Sequence, residues 1–213
     1  MTGLRDTTKS RFKACVSNIR KQLLEDLEQA CYQRYSLNAR DRDKVRLSYR
    51  KNLHYKRLFA WLNDPARPHS DWKDNLKDLV KERSYTLTNR LVILMQLECR
   101  GLRKARLISQ GIEKSAFRTE QEFFVALTRG DDQGFEFILQ QVWDQLALEL
   151  PALFEYNEVH ECVPIPGPTL LWLIEALNQD DLIEAWNDDT TLGWLYATGI
   201  IQNDSKRGEF DFL

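Results

Sequence analysis

Apolar residues recur at steps of three and four along the start of the chain, which is the spacing of one face of an α-helix. The stripe consists of Phe12, Val16, Ile19, Leu23, Leu27 and Ala30. It predicts an amphipathic helix over residues 8–34. Strand-like alternation is limited to residues 200–202, which are too few to count. We therefore predict an all-α fold, an irregular multi-helix bundle of about seven helices.

Capping residues and prolines predict where other helices begin and end. Asp41 is a candidate N-cap for a second helix that ends at about Leu62, before Pro65. Asp71 is a candidate N-cap for a third helix, and Gly101 is a reasonable stop. Further helices are predicted over 119–127, over 135–150 with Pro151 closing it, over 168–177, and from 188–190 onward.

The charges divide between the two halves of the chain. Residues 1–107 hold 25 of the 30 Lys and Arg and 12 of the 32 Asp and Glu, a net charge of +13. Residues 108–213 hold the other 5 and 20, a net charge of −15. We predict a basic subdomain of three helices over 1–107 and an acidic helical subdomain over 108–213. Such asymmetry points to nucleic-acid contact, or to two solvated faces that attract each other.

Cations interleaved with aromatic residues on the second predicted helix are candidates for contact with a phosphate backbone. The aromatic side chains, such as Tyr49 and Phe59, are expected to pack inward. The candidate nucleic-acid-binding residues, which continue onto the third helix, are Arg42, Lys44, Arg46, Arg50, Lys51, Arg57, Lys77 and Lys81. The predicted partner is the backbone of double-stranded DNA. The alternative is a solvated helix surface without a ligand.

Tryptophans of the acidic half are candidates for a docking surface. Trp172, Trp186 and Trp194 could contact a partner protein or a second copy of the chain. Ordinary core packing is the alternative for each of them.

Catalytic, metal-binding and cofactor-binding motifs are missing from the sequence. There is no P-loop, GxGxxG, GxSxG or HExxH motif, and His160 and Cys162 lack a second pair at ligand spacing. The acidic pairs at 180–181 and 188–189 precede apolar helical segments, so capping is favoured over metal binding. The four cysteines form no CxxC pair and are predicted to be buried thiols. We predict no enzyme activity, no metal and no cofactor for this chain.

The sequence carries no sign of a membrane segment. No apolar run approaches the roughly 18 residues of a membrane span, and residues 1–13 lack a secretory hydrophobic stretch. We expect no membrane partner and a cytoplasmic location.

Two segments resemble a known family. Residues 86–102, TLTNRLVILMQLECRGL, resemble a helix of the large adenine-specific DNA methyltransferases of BREX and DISARM phage-defence systems, relatives of restriction-modification enzymes. Residues 188–196, DDTTLGWLY, are similar to an element that these proteins carry shortly before the methylase core. Residues 149–154 and 163–171 lie between them in the expected order.

The resemblance implies a helical region N-terminal to a domain that methylates adenine N6 in DNA with S-adenosylmethionine. That reaction requires a flipped base, and the family's cofactor loop and Asn-Pro-Pro-aromatic element do not occur in these residues. After Tyr196 the sequence departs from the family's pattern. We expect a truncated, non-catalytic module that contacts DNA, a methylase core or other defence proteins. The alternative is a protein-interaction module without a DNA role.

Overall fold

The computed structural model describes residues 5–38, 47–111 and 134–197. Within these ranges the chain forms eight α-helices and two 3₁₀ turns, and no strand. The α-helices are α1 Asp6–Tyr35, α2 Tyr49–Leu62, α3 Trp72–Cys99, α4 Phe135–Glu149, α5 Pro151–Phe154, α6 Gly167–Leu177, α7 Ile183–Asn187 and α8 Thr191–Ala197. The 3₁₀ turns are His160–Cys162 and Asp180–Leu182. The predicted all-α multi-helix fold is confirmed.

The two longest helices, α1 and α3, lie side by side and antiparallel. The rings of Tyr32, near the end of α1, and Trp72, at the start of α3, are 6.4 Å apart. Nearer the middle of both helices, the Arg20 guanidinium lies 4.2 Å from the centre of the Tyr85 ring. The inner stripe of α1 from Phe12 to Leu27 is buried, as its spacing predicts. This helix pair is the centre of the fold.

Short-range signals set the ends of α3. The Asp71 side chain accepts a hydrogen bond from the Lys73 N–H at 2.9 Å, so the predicted N-cap is confirmed. After the last turn, Gly101 has a φ of +68°, a left-handed conformation that glycine adopts without strain. Its N–H bonds to the Glu98 carbonyl, and the Leu102 N–H bonds to the Leu97 carbonyl. These two bonds form a Schellman motif, which satisfies carbonyls that the helix leaves open.

The second helix differs from its prediction. It begins at Tyr49 rather than near residue 41, because residues 47–48 are not helical and Ser48 occupies the N-cap position. The predicted cap Asp41 lies outside the described residues. The expectation that the aromatic side chains pack inward is wrong for Tyr49, which is 87% exposed, and for the exposed Phe59. Tyr55 does pack inward, 6.1 Å from the ring of Tyr35.

The helices beyond residue 134 pack onto the α1–α3 pair. Trp186 of α7 is buried, with its ring 4.6 Å from that of Phe12 on α1. The indole N–H of Trp186 donates to the Leu177 carbonyl of α6. The backbone carbonyl of Trp186 accepts a hydrogen bond from the Gln96 side chain of α3. One buried apolar cluster therefore includes residues from both sides of position 107.

Helix boundaries in this half follow the predictions in part. The helices at 135–149, 167–177 and 191–197 agree closely with prediction, whereas Pro151 also opens the short α5. Neither α7 nor the 3₁₀ turn before it is predicted, and the helix at 119–127 lies outside the described residues. None of the helices in the described part is both long enough and apolar enough to cross a membrane.

Candidate nucleic-acid interface

The first turn of α2 carries cationic side chains at the end of the helix where the helix dipole is positive. Tyr49, Arg50 and Lys51 are all exposed, and this turn contains no acidic residue and no side-chain cap. By contrast, α3 begins with Asp71 and Asp74. A helix N-terminus carries roughly half a positive elementary charge. Cationic side chains at this end are therefore electrostatically unfavourable, whereas a bound anion is favourable. The N-terminal turn of α2 is therefore an unusually favourable position for a phosphate group.

The environment of His54 on α2 is a second indication of positive potential. Burial lowers the pKa of His54, and the nearby charges of Arg34, Arg50 and Arg57 lower it further, while Glu161 acts in the opposite direction. The three arginines oppose protonation because they repel a further positive charge. The potential beside α2 is thus positive even after the neighbouring carboxylate is counted.

The predicted cations of α2 differ in their exposure and in their ion pairs. Arg50 and Lys51 are exposed, and neither forms an ion pair within the described ranges. Arg57 is half-buried, with its Nε 3.4 Å from Glu158 Oε2. The remaining predicted cations of this segment, Arg42, Lys44 and Arg46, lie outside the described residues. Of the three predicted cations on α2, only Arg57 forms an ion pair with another residue that the structure describes.

The predicted cations on α3 are less available to a ligand. Lys77 Nζ is 2.9 Å from Asp74 Oδ1, a hydrogen bond that raises the pKa of Lys77, and Glu28 of α1 lies close enough to add to this. Lys81 is exposed, and its Nζ lies 5.9 Å from the centre of the Tyr85 ring. Local carboxylates thus offset the positive charge at Lys77, whereas no carboxylate in the described ranges pairs with Lys81.

Ion pairs connect the basic and acidic halves of the chain. The pairs that cross position 107 are Arg5–Glu184, Arg11–Asp181, Arg57–Glu158, Arg83–Glu161 and Glu82–His160, the last charged only if His160 is protonated. Arg83 is the most buried of these cations, and its Nη1 lies 3.4 Å from Glu161 Oε1. The opposite charges of the two halves therefore meet in direct contacts, as expected of two faces that attract each other.

Arg90 is a cation with a structural role. Its Nε donates to the Leu153 carbonyl at 3.2 Å and its Nη2 to the Glu155 carbonyl at 2.7 Å, so it holds the end of α5. Burial lowers the pKa of Arg90 to about 10, and the charge of Arg83 contributes. With both nitrogens bonded to carbonyl groups in the interior, Arg90 is not placed to bind a ligand.

A cationic segment that the prediction missed follows α3. Residues 100–106, which we call the basic turn, contain Arg100, Arg103, Lys104 and Arg106 and no acidic residue. Three of these four side chains are exposed. The density of four cations in seven residues was the signal in the sequence that could have identified it.

The candidate docking tryptophans do not share one environment. Trp186 is 2% exposed, so the docking prediction is wrong for this residue, and its partners are the core contacts of α1 and α6. Trp194 is half-buried and packs against the core. Trp172 is 38% exposed and lines a cavity of about 240 Å³ between α1 and α6 with Cys15 and Ala176.

Metal-ligating side chains and cysteine thiols are the remaining groups of chemical interest. None of the described residues form a group of three or more side chains that could hold a metal ion. The four thiols are free, and burial raises the pKa of Cys15 to about 11 and that of Cys31 to about 12. Thiols that stay protonated are poor nucleophiles.

The two acidic pairs have different partners. Asp188 accepts hydrogen bonds from the N–H and hydroxyl of Thr190, just before α8, so its role is local to the helix start. Asp181 lies 3.6 Å from Arg11 of α1 and so connects the two halves. Capping alone therefore does not account for Asp181.

Comparison of the chain with protein families, with curated proteins and with solved structures finds no match. The surfaces described above are therefore the basis for inferring a function.

Proposed function

We propose that this protein is a non-catalytic helical module that binds the phosphate backbone of double-stranded DNA through the first turn of α2. The observation that carries the proposal is the position of Arg50 and Lys51, which form no ion pair within residues 5–38, 47–111 and 134–197, at the positive end of the α2 dipole. A phosphate at this position would be attracted by both cations and by the N–H groups of the first turn, which lack partners within the helix itself.

The expected recognition is of the DNA backbone rather than of base sequence. Phosphate contacts fix the position of a protein on the duplex and release counterions, but they carry no direct sequence information. The exposed ring of Tyr49 beside Arg50 adds a surface that could lie against sugar or phosphate. We therefore expect similar affinities for duplexes of different sequence.

The resemblance of residues 86–102 and 188–196 to phage-defence methyltransferases gives this activity a setting. In that setting the module would hold DNA beside an adenine-specific methylase core and would itself transfer no methyl group. The first of these segments lies largely on α3, and the second covers most of α8.

The test is binding of a fluorescently labelled 20-base-pair duplex, measured by anisotropy between 50 and 200 mM salt. For the double variant Arg50→Glu with Lys51→Glu, we expect affinity to fall and the salt slope to decrease by about 1.8, because each lost phosphate contact contributes about 0.9. Acidic residues in the first turn of a helix are stabilising, so the thermal stability of this variant should rise. Binding and stability should thus change in opposite directions.

A matched control reverses two cations elsewhere. Lys13→Glu with Lys21→Glu makes the same change in net charge on exposed positions of α1. This control should retain most of the affinity. Equal losses in both double variants, or no binding by the wild type at 50 mM salt, would contradict the proposal.

A further inference from the structure

The basic turn is held in one backbone conformation from its first residue. The Schellman motif at Gly101 fixes the exit of the chain from α3, with the Leu102 N–H 2.9 Å from the Leu97 carbonyl oxygen. The Arg103 N–H bonds to the same carbonyl at 3.2 Å. The start of the turn therefore has little conformational freedom to lose on binding a ligand.

A buried carboxylate fixes the end of the turn. Glu98 is fully buried on the last turn of α3. Its Oε1 accepts the N–H of Leu107 at 2.9 Å, and its Oε2 accepts the N–H groups of Ile108 and Ser109 at 3.0 and 2.8 Å. Leu107 and Ile108 are themselves buried. Three charge-assisted hydrogen bonds thus close the turn onto the helix that precedes it.

The four cations of the basic turn divide into one internal and three external side chains. Arg103 turns inward, with its Nη1 bonded to the Ala105 carbonyl and 3.6 Å from Glu98 Oε1. Arg100, Lys104 and Arg106 are exposed, and none of them forms an ion pair within residues 5–38, 47–111 and 134–197. The turn therefore presents three cations to solvent from a fixed backbone.

Compensation of the α3 dipole does not explain these cations. The favourable effect of a cation at a helix C-terminus is confined to the last turn, and the last turn of α3 contains no basic residue. Lys104 and Arg106 lie beyond the helix end by several residues. Asp188 is a nearby acid, since Arg100 and Lys9 help to lower its pKa, but its main partner is Thr190. Among the residues that the structure describes, the positive charge of the turn thus remains largely uncompensated.

We propose that the basic turn is a second phosphate-binding site for the nucleic-acid backbone, separate from the first turn of α2. The inference rests on the proposed function only in the class of ligand, since it concerns different residues. Lys104 and Arg106 contact phosphate groups, Arg103 and Glu98 position the turn, and the fixed backbone lowers the entropic cost of binding.

The first experiment removes the two outermost cations. The variant Lys104→Ser with Arg106→Ser is compared with wild type by anisotropy on the same labelled 20-base-pair duplex. We expect roughly tenfold weaker binding near 100 mM salt and a salt slope smaller by about 1.8. The matched control Lys13→Ser with Lys21→Ser removes the same charge from α1 and should bind nearly as the wild type does.

The second experiment separates positioning from net charge. Glu98→Gln removes a negative charge, so attraction by net charge alone predicts tighter binding. Because an amide offers one acceptor oxygen in place of two, the N–H groups at 107–109 lose part of their support and the proposal predicts weaker binding. Circular dichroism and thermal unfolding verify that the helices remain. Should Glu98→Gln unfold, the variant at the exposed positions 104 and 106 decides the question.

The possible outcomes distinguish this inference from the proposed function. Unchanged affinity and slope in the Lys104→Ser, Arg106→Ser variant overturn the basic-turn site while leaving the α2 site intact. A loss in that variant together with no loss in Arg50→Glu, Lys51→Glu supports the basic turn and overturns the α2 site. Absence of duplex binding by the wild type overturns both.

Discussion

His54 is the residue whose ionisation reports most directly on the α2 surface. Its pKa is below the usual 6.5 because of burial and because Arg34, Arg50 and Arg57 repel the proton. An unfolded chain lacks these effects and takes up a proton at higher pH than the folded chain does. The contribution of His54 to stability is therefore fully present above pH 6.5 and is lost as pH falls through the pKa of the folded state.

We predict that replacing this side chain weakens the pH dependence of stability. Between pH 7 and pH 5 the free energy of unfolding should fall less for His54→Gln than for the wild type, as measured by urea denaturation at each pH. Titration of the His54 ring by NMR should give a pKa below 6.5. A ring pKa above that value, or equal pH dependence in both proteins, would show that the arginines do not act on His54 as described.

Individual residues differ in how far the sequence predicts their roles. Arg50 and Arg57 have the same charge and occupy one helix, yet Arg57 pairs with Glu158, which comes from a distant part of the chain. The burial of Trp186 similarly depends on Phe12. Helical periodicity describes one element at a time, so it cannot identify a partner on another element.

At the scale of elements, α3 depends on the side chain that begins it. We predict that Asp71→Ala lowers the free energy of unfolding by about 1 kcal/mol, because the Lys73 N–H loses its acceptor. Chemical denaturation measures the change. Asp71→Ser supplies another capping oxygen and should retain most of the stability. An equal loss in both variants would assign the effect to something other than the cap.

Long elements are the ones that sequence predicts well. The helices α1 and α3 span many turns, so the regular spacing of their apolar residues can be recognised above random variation. In addition, α3 has a polar cap and a terminal glycine. The five-residue α7 is shorter than two turns and has no measurable periodicity. The predicted start of α2 is wrong because Asp41 has the residue type of a helix N-cap. The actual N-cap, Ser48, makes no side-chain cap bond.

At the scale of the molecule, the predicted subdomain boundary at residue 107 divides residues that share one apolar core. Trp186 touches α1, α3 and α6, and the buried apolar cluster continues across the boundary. We therefore predict a single unfolding transition in calorimetry. Trp186→Ala should lower the free energy of unfolding by about 3–5 kcal/mol and move that one transition as a whole.

Two outcomes of the calorimetry would change this view. Two separate transitions would indicate subdomains that unfold independently on either side of residue 107. A Trp186→Ala variant in which part of the chain unfolds at the original temperature would indicate the same. Trp194→Ala is the comparison, because its half-buried ring should cost less to remove.

The charge split was visible in the sequence, but its distribution in space was not. Counting residues gives +13 and −15 for the two halves, whereas only the fold determines which charges face each other. Arg11, Arg57 and Arg83 meet carboxylates of the acidic half, while Arg50 and Lys51 meet none in the part of the chain that the structure describes. Part of the positive charge of the basic half is therefore neutralised within the fold rather than presented to solvent.

The ion pairs between the halves have a consequence for any anion that approaches α2. A phosphate that reached Arg57 would compete with Glu158, a carboxylate that belongs to the same chain. Tethered groups of this kind act at effective concentrations of roughly millimolar, which dilution of the protein does not change. Because of this competition from the acidic half, a ligand needs a high density of negative charge to bind at α2. A polyphosphate backbone meets this requirement more readily than a single small anion does.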